Sequence, residues 1–314
     1  MYEIIRIELP VPFAIATVNV YVVKGERLTL IDTGTKTEEC KMMLMKKLGE
    51  IGYRMKDIES VILTHHHADH CGLLNEFRDD VEIIGHPWNE PWISQDEDFI
   101  YSYDTFFRQS MPKFGIPRAL SDISLKRTLE YSCKRSLTTS IREGDIVDIL
   151  PEFTVLETPG HASTHIALFR ERDGLLIGGD VLLARISSNP LLEPPYHGET
   201  QRTKPLLQYN DTLSRLAEMP ISRMITGHGE DITNVQGLVQ KRLHKQTERA
   251  HKVLNMLKER PMTAFEVCVK LFPTAHQKQL AFTISETVGQ LDYLEYNQQV
   301  MMDPSSDSWI YYAK

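Results

Sequence analysis

The sequence has few cysteines, no long apolar run and no excess of basic residues, and each absence excludes a class of protein. Four cysteines in 314 residues, none in a CxxC pair, argue against a disulfide scaffold and a thiolate zinc site, so we expect reduced, buried thiols. No run approaches the roughly 18 apolar residues of a membrane span, so no membrane partner is expected. Because 35 Lys and Arg face 43 Asp and Glu, nucleic acid is an unexpected partner.

The composition that remains is that of an ordinary globular protein. Hydrophobic residues make up 41% and charged residues 25%, and the length fits one large domain or two of unequal size. The first residues, Met1 to Arg6, lack the charged-then-apolar layout of a signal peptide. We therefore expect a cytoplasmic protein.

Residues 1–235 predict an α/β sandwich with hairpins, because short β-branched runs alternate with amphipathic segments. Predicted helices cover 36–51 and 206–219. The predicted strands are 18–23, 28–31, 60–63, 81–84, 146–150, 153–156, 165–169, 175–177 and 222–225.

Aromatic residues are concentrated in an insertion at 88–140. Eight of the chain's 26 aromatic residues lie in the 27 positions from Trp88 to Phe114, a density that predicts an apolar contact. Three interpretations stay open: a helical lid over a pocket, a homodimer contact, or packing on the main domain.

The tail, residues 236–314, has a different character. Helices are predicted at 235–259, at 263–271 with a capping box from Thr263 to Glu266, and at 280–295. Two strands, 299–302 and 309–312, follow. Three helices and a hairpin are typical of a winged-helix domain.

One stretch carries most of the chemical information. The buried strand at 60–63 runs directly into Thr64-His65-His66-His67-Ala68-Asp69-His70. In extended backbone alternate residues share a face, so His65 and His67 converge while His66 points away. Asp69 and His70 then return after a turn. Imidazole and carboxylate groups suit zinc and its first-row neighbours, which indicates a metal site.

Three further strands each end in a metal-capable side chain. Thr158-Pro159-Gly160-His161, Gly178-Gly179-Asp180 and Gly227-His228-Gly229 each follow a predicted strand. Glycine permits the sharp turns that such placements require.

These spaced motifs, with the early Asp32-Thr33-Gly34, resemble those of the metallo-β-lactamase superfamily of binuclear hydrolases over residues 1–235. The resemblance implies a four-layer αββα sandwich. It also implies that His65, His67 and His161 bind one divalent metal ion and that Asp69, His70 and His228 bind the second, with Asp180 bridging both. The insertion and tail resemble a bacterial subgroup with helical caps and a C-terminal extension.

The resemblance implies hydrolysis by a metal-activated hydroxide. Two metal ions would lower the pKa of a water and stabilise the developing oxyanion. Zinc is the expected metal, although such donors also accept iron and manganese. Asp69 is the candidate catalytic residue, orienting the water and moving its proton to the leaving group.

Other candidates carry weaker signals. Asp32 would orient a ligand histidine, since ligating imidazoles need an acceptor on their second nitrogen. His165 would support the site without ligating. The pocket candidates, which follow the bridging aspartate in the sequence, are Arg185, His197 and Tyr209.

Two substrate classes stay open, because a fold does not name its substrate. The first is a small, partly apolar ester, thioester or lactone, favoured by the aromatic insertion and the acidic charge. The second is RNA, cleaved as a phosphodiester with the help of the tail. Residues 236–314 carry 10 basic and 8 acidic residues, a net charge of only +2, which favours the small molecule.

Overall fold

The computed structural model describes residues 3–121, 125–196 and 199–314. These residues form two compact units. The first unit comprises the described residues of Met1–Phe99, Lys126–Ser188 and Glu218–Val235. The second comprises those of Ile100–Leu125, Asn189–Ala217 and Gln236–Lys314. No helix of the described residues is long and apolar enough to cross a membrane.

A six-stranded sheet forms half of the first unit. Its strands follow one another in chain order: β1 (Glu3–Pro10), β2 (Thr17–Lys24), β3 (Leu28–Ile31), β4 (Ser60–Ile62), β5 (Glu82–Gly85) and β6 (Thr139–Ser140). The first three pair antiparallel, and β3 to β6 pair parallel. The carboxyl ends of β3 and β4, which lead into Asp32 and His65, therefore lie at one edge.

The second sheet has four strands: β7 (Thr154–Glu157), β8 (Ile166–Arg170), β9 (Leu175–Ile177) and β10 (Arg223–Ile225). Their spatial order is β10-β9-β8-β7, with β8 antiparallel to its neighbours and β9 parallel to β10. Strands β7, β9 and β10 thus end at one edge, where His161, Asp180 and His228 follow them.

The two faces of β2 show how the layers are built. Alternate residues of a strand face opposite sides. Val20 and Val22 pack with Leu44 of α1 (Glu38–Glu50) in one buried cluster. Tyr21 and Val23 belong to a second cluster that contains residues of both sheets. The first unit is therefore a sandwich of two sheets with a helix on its outer face.

The predicted strand at 146–150 does not form. Ile146 makes an isolated bridge to Thr154, and the backbone around it makes local turn bonds, such as that from Leu150 N to Val147 O. Asp145 accepts a bond from Arg142 N, which favours a turn over a ladder. Most of the apolar residues of this segment are buried even so, which accounts for the strand-like pattern.

Three short helices lie between strands of the six-stranded sheet: α2 (Ala68–Cys71) between β4 and β5, and α3 (Glu90–Ile93) and α5 (Lys126–Glu130) between β5 and β6. All four cysteines are free and buried, as expected.

The second unit contains most of α4 (Glu97–Lys113) and nearly all of α6 (Pro205–Glu218). The tail follows, with α7 (Val235–Glu259), α8 (Ala264–Leu271), α9 (Leu280–Tyr296), β11 (Val300–Asp303) and β12 (Ile310–Ala313). The strands pair antiparallel, so three helices precede a hairpin in the predicted order. The capping box between Thr263 and Glu266 is formed.

The division differs from the expected 1–235 and 236–314, although a boundary lies at 235/236. Phe107 and Phe114 of the aromatic insertion share one buried cluster with Val253 and Ile284 of the tail, and Leu192 joins them. The insertion at 88–140 is thus split between the units. Its buried phenylalanines pack inside the second one.

Candidate metal centre

Seven side chains from four chain segments converge at the strand ends of the first unit. Their potential ligand atoms form three overlapping groups, each with all atoms within 4.8 Å of one another. The groups are His65 with His67 and His161, His65 with His70 and Asp180, and Asp69 with His70 and His228.

The first group consists of three imidazoles. His65 Nε2 and His161 Nε2 each lie 3.0 Å from His67 Nδ1. The alternation expected in extended backbone is present, because His66 belongs to none of the three groups and its ring stacks on Trp92 at 3.8 Å between ring centroids. Three nitrogen atoms therefore face one point.

The Asp69 group adds a carboxylate. Helix α2 turns the chain directly after His67, so that Asp69 and His70 come back towards the strand ends. His228 Nε2 lies 3.3 Å from Asp69 Oδ2, and His70 Nε2 lies 3.9 Å from the same oxygen.

Asp180 stands between these two groups. Its Oδ2 lies 3.6 Å from His161 Nε2, 3.5 Å from His70 Nε2 and 3.2 Å from His228 Nε2. The residue is 4% exposed, so no bulk water separates its carboxylate from these rings. This is the position that a bridging ligand would occupy.

Buried acceptors and donors orient the imidazoles from behind. Asp32 accepts hydrogen bonds from Thr64 N, Thr64 Oγ1 and His70 Nδ1 at 2.7 to 2.8 Å. Asp32 itself has a φ of +58°, an uncommon conformation for a non-glycine residue. Thr64 Oγ1 lies 3.0 Å from His65 Nδ1. With Nδ1 bound in this way, each ring directs Nε2 at the centre.

Backbone carbonyl groups orient two more ligands. His161 Nδ1 donates to Ser188 O at 3.0 Å, and His228 Nδ1 donates to Thr17 O at 2.5 Å. Both rings thus present Nε2 to the centre.

The imidazoles of the first group are held neutral. Burial and the neighbouring His161 lower the pKa of His67 to about 3. Burial likewise lowers the pKa of His161, and the pKa of His65 falls well below its usual range. A neutral imidazole has the lone pair that a metal ion requires.

The Asp69 group has the opposite electrostatics. Burial opposes protonation of His228, yet Asp180 and Asp69 raise its pKa to about 10. The pKa of His70 is raised in the same way, against its burial, by Asp180 and Asp32. Burial also opposes ionisation of Asp69, but His70 and His228 lower its pKa to about 2. The carboxylates attract positive charge, which protons or a divalent cation would supply.

A further observation indicates that these donor atoms suit metal ions. Among the described residues, His70 Nε2 and Asp180 Oδ1 are buried without a hydrogen-bond partner. Leaving such atoms unsatisfied costs roughly 1–3 kcal/mol each. Both residues belong to the converging groups, so a cation there would offset that cost.

Glycine is required beside Asp180. A Cβ on Gly227 would collide with Asp180 Oδ1 and would approach His70 Cε1 to 2.9 Å. The glycine of the GHG motif therefore makes room for the carboxylate.

The remaining predicted residues lie in different surroundings. His165 accepts a hydrogen bond from Asp180 N at 2.9 Å and contacts Thr158 Oγ1 through Nδ1, outside the three converging groups. Arg185 is largely exposed and pairs with Glu230 at 2.7 Å. Tyr209 is buried on α6 in the second unit. His197 lies outside the described residues.

Asn19 and Tyr21 of β2 were not among the residues identified from the sequence. Both hydrogen-bond the backbone beside His228. The available signal was a single amide in the apolar run Val18-Asn19-Val20-Tyr21-Val22.

Comparisons with known proteins identify the family of this chain. A profile of the metallo-beta-lactamase superfamily matches residues 16–228. "Probable metallo-hydrolase YqjP" of Bacillus subtilis (strain 168) is 47% identical over 300 residues, which cover 95% of this chain and 94% of that protein.

Solved structures agree. A metallo-beta-lactamase family protein from Thermus thermophilus is similar with a TM-score of 0.82 and 25% identity, covering 99% of this chain and 98% of that one. A beta-lactamase domain protein from Burkholderia ambifaria has a TM-score of 0.79 at 21% identity, covering 99% and 91%, and shows the fold alone. The chain therefore has the mixed α/β metallo-β-lactamase fold, belongs to the metallo-beta-lactamase superfamily and is a hydrolase.

Proposed function

We propose that the chain hydrolyses an ester, thioester or lactone of a small, partly apolar molecule at a site for two divalent metal ions. The observation that carries the proposal is the convergence of two three-residue groups, with Asp180 Oδ2 within 3.6 Å of ligands from both. His65, His67 and His161 would hold one ion. Asp69, His70 and His228 would hold the other.

Zinc is the proposed metal, since imidazole and carboxylate donors suit it, with iron and manganese as alternatives. When bound, two such ions would supply a water of lowered pKa and positive charge beside a substrate oxygen. Asp69 is the group of this chain that we assign to proton transfer. Its side chain is 16% exposed and that of Asp180 only 5%, so Asp69 is the more accessible acid to a leaving group.

The substrate class rests on the aromatic segment and on charge. Trp92, from the start of that segment, stacks on His66, which lies between two of the proposed ligands in the sequence. Phe99 in turn contacts Trp92 at 4.7 Å between centroids. These aromatic rings adjoin the segment that carries the proposed ligands, and on that ground we favour a substrate with an apolar portion.

RNA is the second candidate, because α7 to α9 and the hairpin β11–β12 have the order of a winged-helix domain. Basic residues on α7 include Lys241, Lys245 and Lys252, which are exposed. Arg249, however, pairs with the buried Glu286. With a net charge of +2 for residues 236–314, this surface is weaker than a dedicated RNA-binding face.

A parallel assay separates the two. Metal-loaded protein is offered acyl-lactones and acyl-thioesters beside bis(p-nitrophenyl) phosphate and short single-stranded RNA. We expect turnover of the carbonyl substrates, abolished in His67→Ala. RNA cleavage that depends on His67, with no ester or thioester turnover, would reverse the ranking. Elemental analysis of the same preparation identifies the metal, and size-exclusion chromatography tests the homodimer.

We also propose that the protein is located in the cytoplasm.

A further inference from the structure

The turn that carries His228 is held mainly by side-chain and backbone groups of the distant strand β2, with one further bond from Arg6 Nη1 of β1 to Gly229 O at 3.1 Å. Asn19 Nδ2 donates to Thr226 O at 2.9 Å and to Gly229 O at 3.0 Å. The Asn19 backbone N donates to Gly227 O at 2.7 Å. Tyr21 Oη donates to Thr226 O at 2.7 Å. Three carbonyl groups of residues 226–229 are therefore fixed from β2.

The same strand fixes the imidazole itself. Thr17 O, two residues before Asn19, accepts the bond from His228 Nδ1. Hydrogen bonds to β2, more than 200 residues away in sequence, thus hold both the backbone of the turn and Nδ1 of the His228 ring. A shift of the turn relative to β2 would move His228 Nε2 away from Asp69 and Asp180.

Stability alone does not account for an asparagine at this position. Asn19 is 1% exposed between Val18 and Val20, and its Oδ1 has no hydrogen-bond partner among the described residues. A buried amide with one unsatisfied atom is a net burden on folding compared with an apolar side chain of similar size. The amide group instead provides two N–H donors that bind one turn, and that turn carries His228.

We propose that Asn19 and Tyr21 are positioning residues for His228, acting through the carbonyl groups of residues 226–229. They set the affinity of the metal position formed by Asp69, His70 and His228 and leave the position formed by His65, His67 and His161 unchanged. This inference rests on the proposed two-metal function and adds the residues that make the second position strong.

The test is a titration of the metal-free full-length protein with Co²⁺, followed by visible absorption and by competition with a chelator. Variants are Asn19→Asp, which keeps the size but removes both N–H donors, and Tyr21→Phe, which removes one hydroxyl. Thr29→Val is the matched control, because Thr29 is also a buried polar residue of this sheet, but its hydroxyl bonds to Ser60 Oγ and not to the turn. Thermal unfolding of the metal-free form is measured for each.

We expect Asn19→Asp to weaken one of two Co²⁺ equivalents by ~10–100-fold and to change the absorption of that equivalent only. Tyr21→Phe should weaken the same equivalent by less, because Asn19 still donates to Thr226 O. Thr29→Val should leave both affinities unchanged, although it also removes a buried hydrogen bond of the same sheet.

Three results would overturn the inference: no change in either equivalent for both variants, an equal weakening of both equivalents, or the same weakening in Thr29→Val. Wild-type protein that binds fewer than two ions would contradict the two-metal function itself, and the inference with it. The wild-type titration therefore separates the two failures.

Discussion

Asp32 Oδ2 lies 2.8 Å from His70 Nδ1, and both side chains are almost completely buried. Because Asp32 accepts the Nδ1 proton, His70 directs Nε2 towards Asp180 and Asp69, and Nε2 is the nitrogen that would bind a metal ion. The carboxylate at the end of one strand thus decides the tautomer of an imidazole 38 residues later.

Asp32→Asn should weaken metal binding. The amide would place N–H donors where Thr64 Oγ1 and His70 Nδ1 now donate, and it would favour the tautomer of His70 that cannot ligate. We expect a loss of metal affinity of ~10–100-fold, measured by chelator competition. Unchanged affinity with lower thermal stability would mean that Asp32 only caps the turn.

Asp69→Asn tests the assignment of proton transfer. An amide still offers an oxygen to a metal ion but cannot accept a proton. We expect turnover to fall by ~10²-fold or more while metal content, measured by elemental analysis of the same sample, falls far less. Equal losses of both would contradict a catalytic role beyond ligation.

Gly227→Ala and Gly229→Ala should have different effects, the first on metal binding and the second on stability. An alanine at 227 collides with Asp180 Oδ1, so we expect loss of metal binding. At 229 the added Cβ meets nothing within 4 Å, but φ is +72°, so we expect roughly 1 kcal/mol of destabilisation with metal binding retained. Equal metal affinities in the two variants would contradict the steric argument.

Glu266 gives a pH-dependent contribution to stability. Although its partial burial opposes ionisation, the hydrogen bond from Thr263 N and the partner Arg260 lower its pKa. A carboxyl with a lowered folded-state pKa stabilises the fold above its unfolded pKa of about 4.3, and the contribution is lost as the pH falls through the folded value.

Glu266→Gln should therefore cost a few tenths to ~1 kcal/mol of unfolding free energy at pH 7 and less at about pH 3.5. The measurement is the difference between wild type and variant in denaturant unfolding at each pH, in which changes at the metal centre cancel. A difference in unfolding free energy between wild type and variant that grows towards acidic pH would contradict this prediction.

The convergence of these seven side chains was predictable because the pattern that marks them is local in sequence. Period-two alternation places His65 and His67 on one face, and strands that end in Gly and His or Gly and Asp mark His161, Asp180 and His228. The prediction of a strand at 146–150 was wrong, because its buried apolar residues give the pattern of a strand although their backbone forms turns.

The sequence by itself determined which side chains converge at the strand ends and most of the elements that present them, because periodicity and turn residues act over a few positions. Only the tertiary structure decided which carbonyl group receives His228 Nδ1, why Asn19 interrupts an apolar strand, and which unit packs Phe107 and Phe114. Those contacts join residues up to more than 200 positions apart, and a hydrogen bond of about 3 Å between such partners leaves no periodic signal in the chain.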